Sequence, residues 1–387
     1  MSIRYFSILL VLIIVSCKES TTTPAPKKEI VIKEPFEVEF SKVSKKYKKE
    51  KQAEISNFYN ETIKKNKFSG GFLVAKNGEI LFENYNGFAN YKTKKEVTAT
   101  TPLHLASVSK VLTAAVVMRL YDEKKLDINQ NIKTYFPNFP HDGVTIKTLL
   151  NHRSGIPNYA YFTEPDNIWG RKKILHNEDI IDLLCTKNIP MEYRPDTRFS
   201  YCNTNYVLLA LIIEKVTKLP YPEAMKQLLF EPLKMQNTFV FEYEQQKDTV
   251  SLSYKSNWHA IPFDQFDAVY GDKNIYSTPQ DLLKFDLASY SENFFSKKLK
   301  EEIFKGYSYE RPGVKNYGLG IRLNEWDNYN TLCYHNGWWH GSTTSYITLK
   351  KDTVTMIALS NNYNKKVYQL KKLSSVFGEY PFEIEND

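Results

Sequence analysis

The sequence predicts an α+β protein with an α/β/α sandwich, in which one antiparallel sheet built from both ends of the domain is covered by helices and joined to a mostly helical lobe. Three observations support this prediction. Strand-like runs lie near both ends of residues 51–378, helix-like runs fill the middle, and Asn77-Gly78 separates the first two strand-like runs. An Asn-Gly pair between apolar runs favours the tight turn of a β-hairpin.

The hydrophobic pattern assigns elements along the domain in order. Helices, in which apolar residues recur every three or four positions, are expected at 51–66, 107–124, 145–151, 204–217, 222–230, 279–289 and 367–377. Strands, which are short apolar runs, are expected at 71–75, 79–83, 318–323, 345–349 and 354–359. Polar loops are expected at 84–102, short helices and loops at 126–200, and a C-terminal tail at 379–387.

The first 50 residues have the pattern of an export signal followed by a tether. In residues 1–17, Arg4 precedes an apolar run that is shorter than a bilayer-spanning helix, and the run ends at Ser16-Cys17. A small residue followed by cysteine resembles a bacterial lipoprotein signal, in which the cysteine is lipidated. An ordinary cleaved signal with a chance cysteine is the alternative. Residues 18–50 are polar and lysine-rich, so we expect an exported cell-envelope protein anchored to a membrane through Cys17.

Composition excludes several functional classes. The formal net charge is +8, but the lysines cluster only at 44–51 and form no recognition helix, so no nucleic-acid binding is expected. The seven histidines are scattered, and Cys185, Cys202 and Cys333 match no zinc or haem spacing, so we predict no metal and no cofactor. One disulfide among these three cysteines remains open.

The stretch Ser107-Val108-Ser109-Lys110 is the first candidate for chemistry. A serine and a lysine three residues apart lie on one face of a helix, so the amine is within reach of the hydroxyl. Serine becomes a good nucleophile only beside such a base. By itself the tetrapeptide is more typical of a capped helix with a surface lysine, and the assignment therefore depends on other residues.

Two further stretches supply the remaining groups that acyl transfer needs. Residues 201–203, Tyr-Cys-Asn, precede the second long helix, and residues 335–337, His-Asn-Gly, precede the strand expected at 345–349. The phenol of Tyr201 is expected to share proton transfer with Lys110. The backbone N–H groups of Ser107 and Trp338 are expected to stabilise an oxyanion.

Ser-x-x-Lys, Tyr-x-Asn and His-x-Gly, in this order, resemble the serine β-lactamase and penicillin-binding protein superfamily. The branch most similar contains class C β-lactamases, D-alanyl-D-alanine carboxypeptidases and family VIII esterases. Four more blocks extend the resemblance over about 51–378, and they lie at 149–157, 199–206, 275–282 and 317–320. The resemblance implies the β-lactamase/transpeptidase-like fold.

The resemblance also implies roles for individual residues. The roles are acylated serine for Ser107, base for Lys110, proton relay for Tyr201, substrate-amide contact for Asn203, third-motif cation for His335, and substrate or oxyanion contacts for Asn336, Gly337 and Trp338. The expected activity is that of a serine hydrolase acting on an ester, a D-amino-acid peptide or a β-lactam, with no protein partner. A catalytically idle module that recognises peptidoglycan fragments is the alternative, and a peptidase for short peptides is a third option.

The sequence departs from the family pattern at several positions. His335 stands where β-lactamases usually have lysine, and Asn336 replaces the Thr or Ser expected to hold a substrate carboxylate. Trp338-Trp339 replace small residues and should narrow the cleft, so β-lactam hydrolysis is expected to be weak. Asp196, Lys234 and residues 271–274 replace glycines or a glycine-rich loop. None of these changes removes a catalytic group.

Overall fold

The computed structural model describes residues 36–170, 173–328 and 330–382. The expected signal peptide, Cys17, the first part of the tether and residues 383–387 of the tail lie outside the described residues. None of the helices in the described ranges is both long and apolar enough to cross a membrane.

Seven antiparallel strands form the main sheet in the order β2-β1-β12-β11-β10-β9-β8. Its members are β1 Gly70–Lys76, β2 Glu79–Asn86, β8 Lys315–Tyr317, β9 Arg322–Glu325, β10 Thr331–Trp339, β11 Ser342–Leu349 and β12 Val354–Ser360. Short strands β3 Phe88–Asn90 and β4 Lys95–Glu96 form one small sheet, and β5 Leu103–His104, β6 Phe239–Val240 and β7 Ile275–Ser277 form another.

The helices cover both faces of the main sheet and build the lobe. They are α1 Lys45–Phe58, α2 Ser109–Asp122, α3 Ile146–Leu150, α4 Tyr159–Phe162, α5 Asn177–Thr186, α6 Thr204–Thr217, α7 Tyr221–Met225, α8 Tyr243–Gln246, α9 Pro279–Ala288 and α10 Lys297–Ile303. A run of 3-10 turns, Lys365–Val376, follows β12, and a π-helical turn, Tyr59–Ile63, extends α1.

The two ends of the domain meet in one sheet, which confirms the fold class predicted from the sequence. β1 pairs antiparallel with β12 along its whole length. Successive β1 side chains alternate between two apolar cores, as the two-residue strand period requires. Phe72 and Val74 face a core with α1 and the C-terminal turns, whereas Leu73 faces a larger core with the lobe. The result is a three-layer α/β/α sandwich.

Some boundaries differ from the sequence prediction. α1 begins at Lys45 rather than near residue 51, because the Ser44 hydroxyl caps it by accepting from the N–H of Tyr47. The strand expected at 318–323 is wrong for most of its length, because only Arg322 and Leu323 lie in a strand, β9. Residues 318–321 form the connection from β8 to β9, in which Gly320 adopts a φ of 89°. The expected helix α6 is confirmed at its predicted bounds.

Three residues at positions where the resemblance leads us to expect glycine or a glycine-rich loop adopt the left-handed backbone conformation that favours glycine. Asp196, Lys234 and Asn274 have φ values of 60°, 54° and 67°. Local contacts stabilise the first of these, because the Asp196 carboxylate accepts a hydrogen bond from Arg153 Nε at 2.6 Å. The substitutions therefore leave the turns in place and change only the side chains that the turns carry.

All three cysteines in the described residues have free thiols. Burial raises the pKa of Cys202 to about 11 and that of Cys333 to about 12, whereas Cys185 is partly exposed. Cys202 and Cys333 are thus protonated thiols packed in the interior. No two of the three described cysteines form a disulfide in this structure.

A buried carboxylate ties α9 to the main sheet. Asp286 is fully buried. Its oxygens accept hydrogen bonds from Tyr346 Oη at 2.7 Å, Lys350 Nζ at 2.7 Å and Thr348 Oγ1 at 3.3 Å, and also from the hydroxyl of Thr355. Each oxygen is therefore satisfied, and the carboxylate pairs with one lysine.

We expect Asp286→Asn to lower the free energy of unfolding by about 3–5 kcal/mol, because the half-buried Lys350 and the hydroxyl groups around this buried carboxylate lose the negative charge to which they donate. Urea unfolding followed by circular dichroism measures this change. Glu50→Gln, which breaks the exposed Lys46–Glu50 pair, is the matched control and should stay within about 0.5 kcal/mol of the wild type. Equal effects of the two variants would contradict the role of Asp286.

Candidate active site

Ser107 lies on a 3-10 turn, Ala106–Val108, directly before α2. The helix predicted to begin at Ser107 begins two residues later, at Ser109. The turn is bound to β7, because Leu105 N–H donates to the carbonyl of Ile275 at 2.8 Å. Ser107 is half-buried, so its hydroxyl is held in place and still reachable from solvent.

Lys110 lies in the first turn of α2 and its side chain is fully buried. Its Nζ is 3.2 Å from Ser107 Oγ and 2.7 Å from the carbonyl oxygen of Asp272. Within residues 36–170, 173–328 and 330–382, no carboxylate forms an ion pair with this amine. Helical spacing on one side and a backbone carbonyl on the other therefore aim the amine at the serine oxygen.

Tyr201 packs between an imidazole and a guanidinium. Its ring centre lies 4.3 Å from that of His152 and 4.6 Å from the guanidinium carbon of Arg322. Lys110 Nζ lies 5.2 Å from the same ring centre. The Nδ1 of His152 accepts the backbone N–H of Cys202 at 3.1 Å, so one side chain supports both the Tyr201 ring and the adjoining backbone.

His335 is fully buried on β10, and both of its nitrogens have partners. Nδ1 lies 2.9 Å from the carbonyl oxygen of Asn336, which only accepts, so Nδ1 carries the proton. Nε2 then accepts from the Tyr317 hydroxyl at 3.1 Å. Burial, and the nearby charges of Arg322 and Lys110, lower the pKa of His335 well below its usual value. The expected third-motif cation is therefore a neutral imidazole.

Asn203 precedes α6, and its Oδ1 is buried without a hydrogen-bond partner among the described residues. An unpaired buried carbonyl is costly, so such an atom favours a ligand that donates a hydrogen bond. This geometry agrees with the expected contact between Asn203 and a substrate amide N–H.

Residues 335–337, the third motif, lie within β10, although the sequence predicts them to precede a strand. Asn and Gly are rare in strand interiors, so this segment lacked a strand pattern. β9 pairs with β10 only as far as Tyr334, and beyond that residue no strand in the described part of the chain pairs with this edge of β10. Asn336 Oδ1 accepts from Ser345 Oγ at 2.9 Å, so that side chain is bound to the sheet. The Trp338 indole is 61% exposed at the end of this edge.

Trp339 forms a fixed wall behind the strand edge. Its Nε1 donates to Asp267 at 2.7 Å, and the buried ammonium of Lys273 lies 4.6 Å from its ring centre. His340 Nε2 lies 2.9 Å from the same carboxylate. The wall is consistent with a narrow cleft, and weak β-lactam hydrolysis stays a prediction.

Three residues near Ser107 were not selected from the sequence: Asp272, Tyr317 and Arg322. Asp272 contributes its backbone carbonyl, which no side-chain pattern reveals. Tyr317 belongs to a matched block but carried no assigned role. Arg322 had one usable indication, since it is the single charged residue within the apolar run 318–323.

The comparison with known families agrees with this geometry. A protein-family model described as Beta-lactamase matches residues 55–373. The chain belongs to the beta-lactamase family. This family of serine hydrolases accounts for the order of the three motifs along the chain, and it confirms the resemblance drawn from the sequence.

Three proteins with which the chain was compared share less than a third of their residues with it. The chain is similar to Penicillin-binding protein 4* of Bacillus subtilis (strain 168), with 29% identity over 357 residues, covering 87% of this chain and 78% of that protein. It is similar to a Teichoic acid D-alanine hydrolase of Staphylococcus aureus (strain NCTC 8325 / PS 47), with 25% identity over 65% of this chain and 62% of that protein. A penicillin binding protein from Bacillus halodurans has the same fold, with a TM-score of 0.72, 21% identity, and coverage of 82% of this chain and 98% of that chain.

The neutral state of His335 predicts a specific pH dependence of stability. Below about pH 6.5 an unfolded histidine binds a proton that buried His335 does not bind. The unfolded state then holds more protons, so stability falls as the pH falls below that value. In His335→Gln, the slope of the unfolding free energy between pH 5 and 6 should drop by about 1.4 kcal/mol per pH unit.

Urea unfolding at a series of pH values measures both slopes. The matched control is the exposed histidine variant His259→Gln, which should keep the wild-type slope. Identical slopes for the wild type and His335→Gln would show that His335 takes up its proton in the folded protein as well.

Proposed function

We propose that this protein is an exported serine hydrolase that forms an acyl-enzyme at Ser107. The observation that carries the proposal is the 3.2 Å contact between Ser107 Oγ and the buried amine of Lys110. None of the described carboxylates forms an ion pair with this amine. Such a lysine suits a general base, because one carbonyl oxygen is the only other hydrogen-bond acceptor that its amine contacts among the described residues.

In the proposed reaction, Ser107 Oγ attacks the acyl carbon while its proton passes to Lys110 Nζ, the general base. The backbone N–H groups of Ser107 and Trp338 receive the oxyanion. The carbonyl–leaving-group bond then breaks, and the leaving group takes a proton by way of the Tyr201 phenol. Water cleaves the resulting ester at Ser107 by the same steps in reverse, which releases the acid and restores the serine.

Arg322 indicates the kind of substrate. None of the described carboxylates forms an ion pair with its guanidinium, whose known neighbours are the rings of Tyr201 and Tyr317. Because His335 is neutral, Arg322 supplies the positive charge next to Tyr201. A planar guanidinium binds carboxylate or phosphate well. We therefore propose an acyl substrate with an anionic group near the scissile bond.

The name of one relative, Teichoic acid D-alanine hydrolase, supports a D-amino-acid substrate. We propose an ester or amide of a D-amino acid in the cell envelope as the substrate class. Membrane anchoring through a lipid on Cys17 belongs to this proposal, and it rests on the sequence pattern of residues 1–17.

Labelling with a fluorescent fluorophosphonate tests the nucleophile. We expect the wild type to gain one label on Ser107, located by peptide mass spectrometry, and Ser107→Ala to gain none. Lys110→Arg should label at least about 100-fold more slowly, because a guanidinium keeps its proton. The matched control Ser256→Ala changes an exposed serine and should label like the wild type. A folded wild type that neither labels nor cleaves D-amino-acid esters would favour the idle binding module instead.

Two substrates of the same shape but different charge test whether Arg322 binds an anionic group of the substrate. For a pair of acyl-D-alanyl esters that differ only in a carboxylate or a carboxamide beside the scissile bond, Arg322→Gln should lower kcat/KM for the carboxylate by about tenfold, which is the loss of one charge-assisted contact. The value for the carboxamide should not change. Arg311→Gln, at an exposed arginine, is the control. An equal loss on both substrates would show that Arg322 does not read substrate charge.

A further inference from the structure

The residue before the candidate nucleophile has an unusual backbone. Ala106 is fully buried and has a φ of 49°, in the left-handed region that favours glycine. A residue with a Cβ stays in this region only where its surroundings hold it there. The conformation of Ala106 sets the direction of the next residue, Ser107, so whatever holds Ala106 also aims the serine.

His104 contacts the backbone of Ala106 directly. The N–H of Ala106 donates to Nδ1 of His104 at 3.1 Å, so Nδ1 is the unprotonated nitrogen. Burial lowers the pKa of His104 to about 4, which keeps the ring neutral at pH 7. The proton of the neutral ring therefore lies on Nε2, which is 2.9 Å from Oδ1 of Asn274.

Asn274 is fixed in the orientation that this tautomer requires. Its Nδ2 donates to the carbonyl oxygens of Asp267 at 2.7 Å and Val269 at 2.9 Å. Both amide hydrogens are used, so Oδ1 is left to accept from His104. Asn274 itself has a φ of 67°, which asparagine tolerates better than most residues.

The same loop also holds the candidate base. Two residues before Asn274, the carbonyl of Asp272 accepts from Lys110 Nζ at 2.7 Å. Just after Asn274, the N–H of Ile275 donates to Ser109 Oγ at 3.1 Å. The loop thus contacts the nucleophile turn through His104 and the base through its own backbone.

We propose that His104 and Asn274 form a clamp that holds Ala106 in its left-handed conformation and so keeps Ser107 Oγ in line with Lys110. Both are positioning residues, because neither touches the reacting atoms. The inference rests on the proposed function, in which Ser107 is the nucleophile. It assigns a purpose to Asn274 in a loop where the family pattern has glycines.

Two substitutions of His104 separate the clamp from simple packing. The amide oxygen of His104→Asn falls near Nδ1 and keeps an acceptor for Ala106 N–H. The longer side chain of His104→Gln places its amide near Nε2, which keeps the contact with Asn274 and loses the one with Ala106. We expect the maximal rate of fluorophosphonate labelling to stay within about threefold of wild type for His104→Asn and to fall about 10- to 100-fold for His104→Gln.

The apparent binding constant of the reagent should be the same in both variants, since only the alignment of the serine changes. Relief of the strain supplies a second test. Glycine adopts the left-handed conformation at little cost, so Ala106→Gly should restore at least about fivefold of the labelling rate lost in His104→Gln. Equal rates for the Asn and Gln variants, together with no rescue by glycine, would overturn the clamp.

Asn274→Asp covers the case in which His104→Gln does not fold. The carboxylate beside Nε2 favours protonation of His104, and a protonated ring cannot accept from Ala106 N–H. Toward low pH, labelling of this variant should then fall more steeply than labelling of the wild type. The other charged groups acting on His104 are Asp267, His340 and Lys273, and none of them changes in this variant. A pH profile identical to that of the wild type would overturn the clamp.

The labelling of the wild type distinguishes the two proposals. If wild-type Ser107 takes no label while the protein is folded, the proposed function fails. If wild-type Ser107 is labelled and His104→Gln and Asn274→Asp behave like the wild type, the proposed function stands and the clamp fails. Thermal unfolding of each variant, followed by circular dichroism, identifies those that fold.

Discussion

The close approach of β10 to the Ser107 turn is the constraint on which the rest of the site depends. A Cβ at Gly337 would lie 2.2 Å from Thr344 Oγ1 and 2.5 Å from the carbonyl oxygen of Leu105, so only glycine fits there. Thr344 Oγ1 donates to the same Leu105 carbonyl at 2.7 Å and binds the turn to the sheet. Through this contact a strand from the C-terminal half lies beside the candidate nucleophile from the N-terminal half, and these two segments carry the two proposed oxyanion donors.

The histidines of the site do not supply its positive charge, and the guanidinium of Arg322 does. Burial lowers the pKa of His104, His152 and His335, so all three imidazoles act as hydrogen-bonding groups with a defined tautomer. Lys110 serves the serine, and Arg322 lies against the Tyr201 ring. The family position that usually holds a third-motif lysine is thus occupied by a neutral ring, while the positive charge comes from the neighbouring strand β9.

Periodicity predicted the elements whose burial is one-sided or complete, such as α6, because an apolar stripe records the core that it faces. It did not predict β10, whose Asn, Gly and two tryptophans serve the cleft rather than the core. The candidate site was predicted to the extent that it consists of side chains at fixed spacing. Arg322 and the carbonyl of Asp272 were not predicted, since contacts between distant segments bring Arg322 to Tyr201 and the carbonyl to Lys110.

The sequence by itself determined the family, the order of the motifs, and the identity of Ser107, Lys110 and Tyr201 as candidates, because these depend on residue type and on separations along the chain. Only the tertiary structure decided the protonation of His335, the burial of Asn203 Oδ1 and the conformation of Ala106. The physical reason is that a pKa depends on burial and neighbouring charge, and that a left-handed residue depends on the groups that hold it. Those groups come from parts of the chain far apart in sequence.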